Sequence, residues 1–371
     1  MKTEDIVIVG GGPAGAYLGY CLAKKGIYAT IFDDSHPREK PCGGGVSHLA
    51  LKKFPIIKKT PGMKGIGKKM RIISHSGKET KIGSGYMIGI SRLRLDKFIL
   101  DAAVSAGTHL IEKRVLDVNN KNGVWHVKTK NKVFKTKLLI GADGVNSIVR
   151  KKVLGSHKKE NLTLTYGYFA KGLEKEVTLM KFLKDKMGYI WIFPRGDHTS
   201  IGICAELKDG KGLKELLDEF IKEYYPKIKI LSTYSALVPT ITDTNFFKIP
   251  CTGENWVLIG DAAGHVDPIS SEGISYAFWS GELASKSIIK NNHREFDSMW
   301  RSEYGENLTK AIKLKSLMYN SHFIDLSITI ASRSKTFSKL FFDITVSEQE
   351  YRTLTRRILK DLPRIIKEFI F

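Results

Sequence analysis

The chain has 371 residues, of which 42% are hydrophobic and 10% aromatic, so it is long and apolar enough to bury a large core. This composition excludes a wholly disordered protein. The formal charge of +22 favours polyanions or anionic membranes as partners, but a generally solvated basic surface explains it equally well, because the basic residues are spread along the chain.

The cysteines and the apolar runs limit the class of protein further. The four cysteines form no CxxC pair and no cluster with histidines, so we predict neither a metal site nor a disulfide framework, and a reducing cytoplasm fits best. The apolar run at residues 6–9 is too short for the core of a signal peptide. Nowhere do 18 uncharged apolar residues follow one another, so we predict no membrane-spanning segment.

A βαβ unit opens the chain. Residues 6–9 are a β-branched run typical of a strand buried on both faces, and small and apolar residues at helical spacing between Pro13 and Lys25 predict the following helix. Gly26 ends that helix, and residues 28–32 return as a second strand.

The turn between this first strand and helix carries the pattern GxGxxG at Gly10, Gly12 and Gly15. The first glycine permits a tight turn, the second lets the backbone meet a pyrophosphate, and the third lets the helix pack on the strand. Asp33 ends the second strand, in the position from which a carboxylate accepts hydrogen bonds from an adenosine ribose. The unit therefore predicts a dinucleotide site.

The next segments alternate loop, helix and strand. Two prolines and three successive glycines in residues 35–46 predict a loop whose backbone runs close to a ligand. Ser91 is predicted to cap a helix that ends near residue 106, and a hairpin is predicted over residues 115–127. Residues 138–140 then supply another buried strand.

The middle of the chain changes to short β-rich runs. Those at residues 162–168, 189–193 and 200–204 predict an antiparallel sheet inserted into the α/β domain, which should carry the substrate. A buried strand at 257–259 and a helix at 272–289 resume the earlier pattern, and the remainder is mainly helical and basic.

Two turns that contain aspartate decide between NAD and FAD. They are GADG at residues 141–144 and GDAAG at residues 260–264, each after a predicted strand. In the second, Asp261 can hold a ribityl hydroxyl, and the next helix can aim its positive N-terminus at a flavin. Either aspartate alone is equally well a helix cap or turn residue. The three motifs in this order favour FAD.

Over about residues 4–290 the chain resembles the flavin monooxygenase-type superfamily around p-hydroxybenzoate hydroxylase, and within it the geranylgeranyl reductase family. The superfamily features are GGGPAG at 10–15, SRLRLD at 91–96, GADGVNSIVR at 141–150 and GDAAGHVDP at 260–268. The family features are PCGGGVS at 41–47 and YIWIFP at 189–194.

The resemblance and the patterns together predict an α/β fold in three parts. These are a Rossmann-type FAD-binding domain (1–70, 91–155 and 251–290), an inserted antiparallel β-sheet substrate domain (71–90 and 156–250), and a helical C-terminal region (291–371).

The resemblance also implies which residues contact or frame FAD. They lie in the glycine motif, the loop after the second strand, the SRLRLD segment and the two aspartate turns. They are Gly10, Gly12, Pro13, Ala14, Gly15, Asp33, Asp34, Arg38, Cys42, Gly43, Gly44, Gly45, Val46, Arg92, Val115, Ala142, Asp143, Gly144, Gly260, Asp261, Pro268, Gly273 and Ile274.

Three aromatic residues, Tyr189, Trp191 and Phe193, alternate along a strand that Pro194 ends, so they would form a wall on one sheet face. The residues alone favour ordinary core packing, whereas the resemblance implies a pocket for an isoprenoid chain. In the family, a GxG pattern usually follows the YxWxFP pattern, but here Cys204 replaces its last glycine. Its side chain would narrow the pocket.

Saturating an isolated trisubstituted alkene needs a proton and a hydride, and positive charge would develop at the tertiary carbon. Aromatic faces stabilise such a cation, so Tyr189 and Trp191 are catalytic candidates. Cys42 is a third, as a proton donor or a residue that shapes the pocket. A small buried apolar thiol is its equally weighted alternative.

Two questions about partners stay open. The chain has no second strand-glycine-helix unit, so the external reductant is either NADPH or a ferredoxin. Apolar residues between Leu354 and Phe369 recur at helical spacing among basic ones, which indicates either a helix lying on an anionic membrane or, the favoured interpretation, one packed on the protein's own core.

The sequence thus predicts a flavoprotein that saturates double bonds of a geranylgeranyl-type lipid or prenylated quinone, in the cytoplasm and peripheral at the membrane. One alternative is an aromatic monooxygenase that uses FAD and NADPH. Another is a basic lipid- or nucleic-acid-binding protein with a vestigial flavin site. Nucleic acid is a less expected partner than an isoprenoid lipid.

Overall fold

A computed structural model describes residues 3–63, 70–82, 88–173 and 178–371. The predicted domain ranges also take in residues 1–2, 64–69, 83–87 and 174–177, which lie outside the described residues. Within the described part, no helix combines the length and the apolar character needed to cross a bilayer.

The strands and helices are numbered in chain order. The strands are β1 (Thr3–Val9), β2 (Thr30–Phe32), β3 (Gly45–Val46), β4 (Met70–Ile73), β5 (Glu79–Ile82), β6 (Ile88–Gly89), β7 (His109–Ile111), β8 (Asp117–Lys121), β9 (Val124–Lys128), β10 (Val133–Gly141), β11 (Leu162–Lys171), β12 (Thr178–Phe182), β13 (Gly188–Pro194), β14 (Thr199–Glu206), β15 (Lys229–Pro239) and β16 (Trp256–Leu258). The helices are α1 (Pro13–Ala23), α2 (His48–Lys53), α3 (Arg92–Ser105), α4 (Ile148–Val153), α5 (Leu213–Tyr224), α6 (Ile274–Ile289), α7 (Phe296–Trp300), α8 (Glu306–Met318), α9 (Ser321–Arg333), α10 (Lys335–Thr345) and α11 (Tyr351–Ile370).

The first sheet is the predicted Rossmann-type layer. Its order is β7-β2-β1-β10, with parallel pairing, and β16 lies parallel beside the end of β10. The hairpin β8–β9 adds antiparallel strands along the start of β10. Asn122 and Gly123 both have positive φ, as the predicted two-residue hairpin turn requires. Because β1 is apolar on both sides, it lies buried in the middle of this sheet.

Helix α1 connects β1 to β2 and packs against α3 and α6. Helix α3 begins at Arg92 with Ser91 in the N-cap position, as predicted, but Ser91 does not cap the helix through its side chain. The Ser91 hydroxyl makes no capping bond to the helix and instead donates to Glu39 Oε2, at 2.5 Å. The carboxylate of Glu39 offers a charge-assisted bond, which is stronger than the neutral bond to a backbone amide.

The second sheet is the predicted insertion, in the order β15-β11-β14-β13-β12-β4-β5. Its pairs are antiparallel except β4 with β12, which run parallel. Residues Ile190, Ile192 and Ile201 on one face pack against α5. The opposite face, with Tyr189 and Trp191, packs against the C-terminal helices.

The C-terminal region is helical, as predicted. A buried ion pair between Lys315 of α8 and Glu206 of β14, at 2.7 Å, joins it to the second sheet. Tyr351 and Leu354 of α11 are buried in the same apolar cluster as the aromatic wall. The favoured core packing of the last helix is therefore correct for its beginning. The predicted α/β fold class with a helical C-terminal region is confirmed, and the domain bounds stay a prediction.

Candidate active site

Three glycine turns meet at the carboxyl ends of adjacent parallel strands. Gly10, with φ of +105°, lies against the backbone of Ala142 and Asp143, and a Cβ atom at Gly10 would be 2.9 Å from the Cα atom of Asp143. A Cβ atom at Gly260 would be 3.0 Å from the Cβ atom of Ala14. Ligands of open α/β sheets bind at this edge, where connections diverge to the two sides of the sheet.

The N-terminus of α1 is free to meet a phosphate. Gly12 occupies the capping position without a side chain, and Pro13 occupies the first turn. Within the described ranges, the atoms found within 4 Å of a Cβ atom at Gly12 belong to the His36 ring, at 3.7 Å. The open approach and the amides of the first helical turn fit the pyrophosphate of a dinucleotide. Gly15 packs directly on the Gly10 carbonyl, which explains why a glycine stands there.

Asp33 braces the glycine turn from the end of β2. Its Oδ2 atom accepts hydrogen bonds from the Gly11 amide at 2.6 Å and from His36 Nδ1 at 2.8 Å, and its Oδ1 accepts from the Ser35 amide at 2.7 Å. Burial alone would raise the pKa of this carboxyl, but His36 and the backbone donors hold it far below its ordinary value. Ribose binding by Asp33 stays a prediction.

A buried chain of charges continues from His36. Its Nε2 atom lies 3.2 Å from Asp96 Oδ2, and Asp96 forms a two-point ion pair with Arg92, at 2.7 and 2.8 Å. The pKa of Asp96 is lowered to about 2 by Arg92 and His36, against the effect of burial. Arg92 is also in contact with the Cys42 thiol. Sequence reasoning placed Arg92 beside FAD but did not foresee that its charge is paired inside the protein.

Other predicted FAD residues have separate surroundings. Asp34 forms an ion pair with Arg114 at 3.3 Å at the surface, Arg38 is exposed, and Val115 is buried. Pro268 is buried beside the turn that leads to α6. Their contacts with FAD stay predictions.

Asp143 has the structural role that the sequence left open. It accepts a hydrogen bond from the Ile148 amide at 2.7 Å and another from the Ser147 hydroxyl, and so it braces the start of α4. Burial raises the pKa of its carboxyl. Arg150, later in α4, donates to the Ala262 carbonyl at 3.1 Å and thereby ties the GADG turn to the GDAAG turn.

Asp261 remains available to a ligand. Its side chain is partly exposed, with Lys40 Nζ at 3.7 Å. Gly273, which precedes α6, lies close to Asp261, because a Cβ atom there would be 3.2 Å from Asp261 Oδ1. The start of α6 thus lies beside Asp261, and the orientation of this helix towards a flavin stays a prediction. Ile274 is the first residue of that helix.

The aromatic wall and the PCGGGVS loop are in direct contact. Tyr189, Trp191 and Phe193 project from one face of β13, as predicted. A Cβ atom at Gly43 would be 2.7 Å from the Phe193 ring and 3.4 Å from Trp191 Nε1. Loop and wall therefore form one surface. The loop continues through Gly44 into β3, where Gly45 and Val46 pair with β6.

The wall also depends on its neighbour β14. Gly202 lies opposite Trp191, whose indole ring occupies the space that a side chain at Gly202 would need. Cys204 lies opposite Tyr189 and is buried among the same residues, and burial raises the pKa of its thiol to about 12. The Tyr189 hydroxyl donates to the Ser270 carbonyl at 2.6 Å. A narrowing of the pocket by Cys204 stays a prediction.

Sequence reasoning missed several polar residues around this surface. Arg195 follows Pro194 and is 2% exposed. The hydroxyl groups of Ser200 and Tyr234 lie next to the wall, 2.7 Å from each other. Glu272 precedes Gly273, and burial raises the pKa of its carboxyl to about 7. Only the position of Arg195 next to the YIWIFP motif was a usable signal.

Comparisons with known proteins agree with this geometry. The model of the geranylgeranyl reductase catalytic domain matches residues 162–238, which include the aromatic wall. A protein of Methanosarcina barkeri without an assigned function is 30% identical over 94% of this chain and 95% of its own length. The digeranylgeranylglycerophospholipid reductase of Methanococcus vannielii is 25% identical over 99% of this chain and 98% of its own.

A solved structure shares the fold. It is the crystal structure of a geranylgeranyl bacteriochlorophyll reductase-like protein from Thermoplasma acidophilum, with a TM-score of 0.80 and 22% identity over 99% of this chain and 98% of that chain. The relatives, the matched catalytic domain and the converging turns favour a flavin reductase over the two alternatives. The chain belongs to the geranylgeranyl reductase family of FAD-dependent oxidoreductases.

Proposed function

We propose that the protein saturates carbon–carbon double bonds of a geranylgeranyl-type isoprenoid lipid or prenylated quinone. The aromatic wall carries the proposal, because it lies in the matched catalytic domain and touches the loop that belongs to the FAD-binding half. Relatives named digeranylgeranylglycerophospholipid reductase support an isoprenoid substrate.

Different residues of the chain would bind the cofactor and stabilise the charge that develops on the substrate. FAD, once bound and reduced by the external electron donor, would supply the hydride. Tyr189 and Trp191 present aromatic faces that stabilise positive charge at a tertiary carbon, and they exclude water from it. The buried apolar surroundings of both rings favour a hydrocarbon over a polar substrate. The residues around Gly12 and Asp261 would hold the pyrophosphate and ribityl parts of the cofactor.

The experiment is to incubate the chemically reduced, FAD-loaded protein with polyprenyl lipids without oxygen and to follow their masses. Each saturated bond adds two hydrogen atoms to the product. A protein that changes no polyprenyl lipid but hydroxylates an aromatic compound with oxygen and NADPH contradicts the proposal. Purified protein that stays colourless after FAD addition contradicts the flavin site itself.

Cys42 is the proposed proton donor or pocket-shaping residue of this reaction. Its Sγ atom accepts a hydrogen bond from the Gly44 amide at 3.2 Å, and Arg92 lies beside it, so the thiol has a defined orientation. Turnover by Cys42→Ala should fall about tenfold or more if the thiol transfers a proton. Cys42→Ser keeps a donor of similar size and separates proton transfer from packing. Undiminished turnover by Cys42→Ala with normal FAD content removes the residue from the mechanism.

Either NADPH or a ferredoxin would supply the electrons. The basic surface suits an acidic ferredoxin as well as a nucleotide. The two are separated by mixing the oxidised protein without oxygen with NADPH or with reduced ferredoxin and following the loss of flavin absorbance. Reduction that only ferredoxin supports, and that weakens as salt is added, identifies a protein donor.

The part of α11 from Arg356 to Ile370 would place the protein at an anionic membrane from the cytoplasmic side. Leu359, Leu362, Ile366 and Ile370 follow helical spacing and are all exposed, Leu359 by 65% and Ile370 by 66%. Exposed basic residues border this stripe at Arg356, Lys360, Arg364 and Lys367. An apolar stripe with a cationic border is typical of a helix that lies in the interface of an anionic bilayer.

The stripe is tested by sedimentation with vesicles of phosphatidylglycerol or phosphatidylcholine. Leu359→Gln with Leu362→Gln and Ile366→Gln should weaken binding to the anionic vesicles about tenfold or more. Val104→Gln with Leu116→Gln, which changes exposed apolar residues elsewhere, is the matched control. Equal vesicle binding by both variants, with FAD content retained, excludes this role of α11.

A further inference from the structure

A fully buried arginine joins the two halves of the site. Arg195 follows the last residue of β13, and its guanidinium donates to Gly43 O at 3.0 Å, to Glu39 Oε1 at 2.5 Å and to Cys42 O. Its side chain has no exposed surface, and its Cζ atom lies 5.1 Å from the centre of the Phe169 ring. Each nitrogen of the guanidinium therefore has an acceptor in one short loop segment.

A buried cation is a costly way to hold a loop. Removing a guanidinium from water is unfavourable unless several acceptors compensate it, and apolar packing usually stabilises a fold at least as well. An arginine, unlike a leucine, makes directional hydrogen bonds, because the donors of its planar guanidinium fix the positions of their acceptors. The arrangement therefore indicates that Arg195 fixes the position of the loop and does more than stabilise the fold.

The segment that Arg195 holds carries the Cys42 thiol. The Cys42 carbonyl also accepts from the Ser200 hydroxyl at 3.1 Å, and Ser200 accepts in turn from Trp191 Nε1 at 3.2 Å. The Cys42 backbone is thus bonded to the residue that orients the indole of the wall. Gly43 then rests on the Phe193 ring.

Glu39 extends the connection to α3. Its carboxylate accepts from the Ser91 hydroxyl at 2.5 Å and from the Arg92 amide at 2.9 Å, besides Arg195. Arg92 is the residue in contact with the Cys42 thiol. Arg195 and Glu39 therefore fix both the backbone of Cys42 and the start of the helix that carries the thiol's charged neighbour.

We propose that Arg195, acting with Glu39, is a positioning residue that sets the distance between the Cys42 thiol and the aromatic wall. The same distance determines where a bound isoprenoid chain sits, and this part rests on the proposed function. The pairing spans the predicted FAD-binding and substrate domains, so it also holds the two together at the site.

The test measures the alkylation rate of Cys42 by iodoacetamide in FAD-loaded protein, with peptide mass spectrometry. Arg195→Lys and Glu39→Gln should each raise the rate about tenfold, which corresponds to about 1.4 kcal/mol of lost restraint. Cys21, which is also partly exposed, is the internal reference and should keep its rate. Cys204 and Cys251 are buried and should stay unmodified while the fold is intact.

Arg94→Lys is the matched control, because Arg94 makes its ion pair with Asp197 at the surface. The proposal is overturned if the alkylation rates of Cys42 in Arg195→Lys and in Glu39→Gln both stay within about twofold of the rate in this control. Glu39→Gln keeps the shape of the side chain, so it remains informative where Arg195→Lys loads no FAD.

The kinetic readout separates positioning from folding. With a polyprenyl substrate, Arg195→Lys should lower kcat at unchanged FAD content with little change in KM, because placement rather than binding is lost. An equal loss in Arg94→Lys contradicts this. If no variant, nor the natural protein, reduces a polyprenyl lipid while the Cys42 rates differ as expected, the proposed function fails and the positioning role stands.

Discussion

The two halves of the site depend on different parts of the chain, one on backbone turns and the other on side chains. The dinucleotide half consists of backbone turns in which glycines allow close approach, as at Gly10, Gly15 and Gly260. The wall half consists of side chains held by buried polar contacts from distant segments, as at Arg195 and Ser200. Backbone turns leave a sequence pattern at fixed spacing, whereas contacts between distant side chains do not. The dinucleotide half therefore tolerates few side chains larger than glycine at its turns. The wall half is instead sensitive to loss of the hydrogen bonds that orient its side chains.

The largest expected effect is in the dinucleotide half. Gly15→Val would press on the Gly10 carbonyl and on the Ile8 side chain, so we expect a loss of about 3 kcal/mol or more in the free energy of unfolding, together with loss of bound FAD. Thermal unfolding and flavin absorbance measure both. Gly123→Ala, with positive φ but no atom within 4 Å, should cost only about 1 to 2 kcal/mol and keep FAD. Similar behaviour of the two variants would contradict the close-approach argument.

A loss of about 3 kcal/mol is expected from Lys315→Met in the wall half. Among the described residues, this change leaves the buried Glu206 carboxylate with the exposed Lys208 as its remaining ion-pair partner. Burial favours a raised pKa for Glu206, but Lys315 and Lys208 lower it. The ion pair therefore stabilises the fold above the unfolded pKa of about 4.3, and this contribution disappears as pH falls through the lowered folded value.

Denaturant unfolding between pH 3 and pH 7 checks this, with Lys315→Met/Glu206→Gln as the companion variant. The double variant should recover part of the stability and lose the share of the acid dependence that comes from Glu206, while Asp33 and Asp96 keep theirs. A single variant as stable as the natural protein across this range would mean that the pair contributes nothing.

The next effect is on turnover rather than folding. Gly202→Ala pushes the Trp191 indole out of position, so turnover of an isoprenoid substrate should fall roughly tenfold to a hundredfold with FAD content unchanged. Ile203→Val on the same strand faces α5 and should leave turnover nearly unchanged. Loss of FAD from Gly202→Ala would show that the wall half also contributes to FAD binding.

The smallest expected effect is also in the dinucleotide half, at His36. Burial would lower the pKa of His36, but Asp33 and Asp96 raise it above its ordinary value. The resulting stabilisation is fully present below the unfolded pKa of about 6.5 and is lost as pH rises through the raised folded value.

His36→Gln should therefore cost about 1.5 kcal/mol at pH 6 and remove the decline in stability on the alkaline side. The exposed His109→Gln is the control. An alkaline decline that persists in His36→Gln would assign it to another group.

The sequence by itself determined the chain's cofactor-binding scaffold. Gly10, Gly12, Gly15 and the two aspartate turns follow strands at fixed spacing, and local geometry makes such turns recognisable without knowledge of their neighbours. Alternation along β13 likewise predicted that Tyr189, Trp191 and Phe193 share a face, because side chains of a strand alternate.

Only the tertiary structure decided which polar groups act together. Asp143 braces α4, Ser91 bonds to Glu39 rather than capping α3, and Arg195 reaches Cys42 across more than 150 residues. The energy of a buried charge depends on all the partners that surround it, and folding brings those partners from distant parts of the chain. For that reason the cofactor-binding scaffold can be predicted from the sequence, whereas the geometry of the aromatic wall and its polar neighbours cannot.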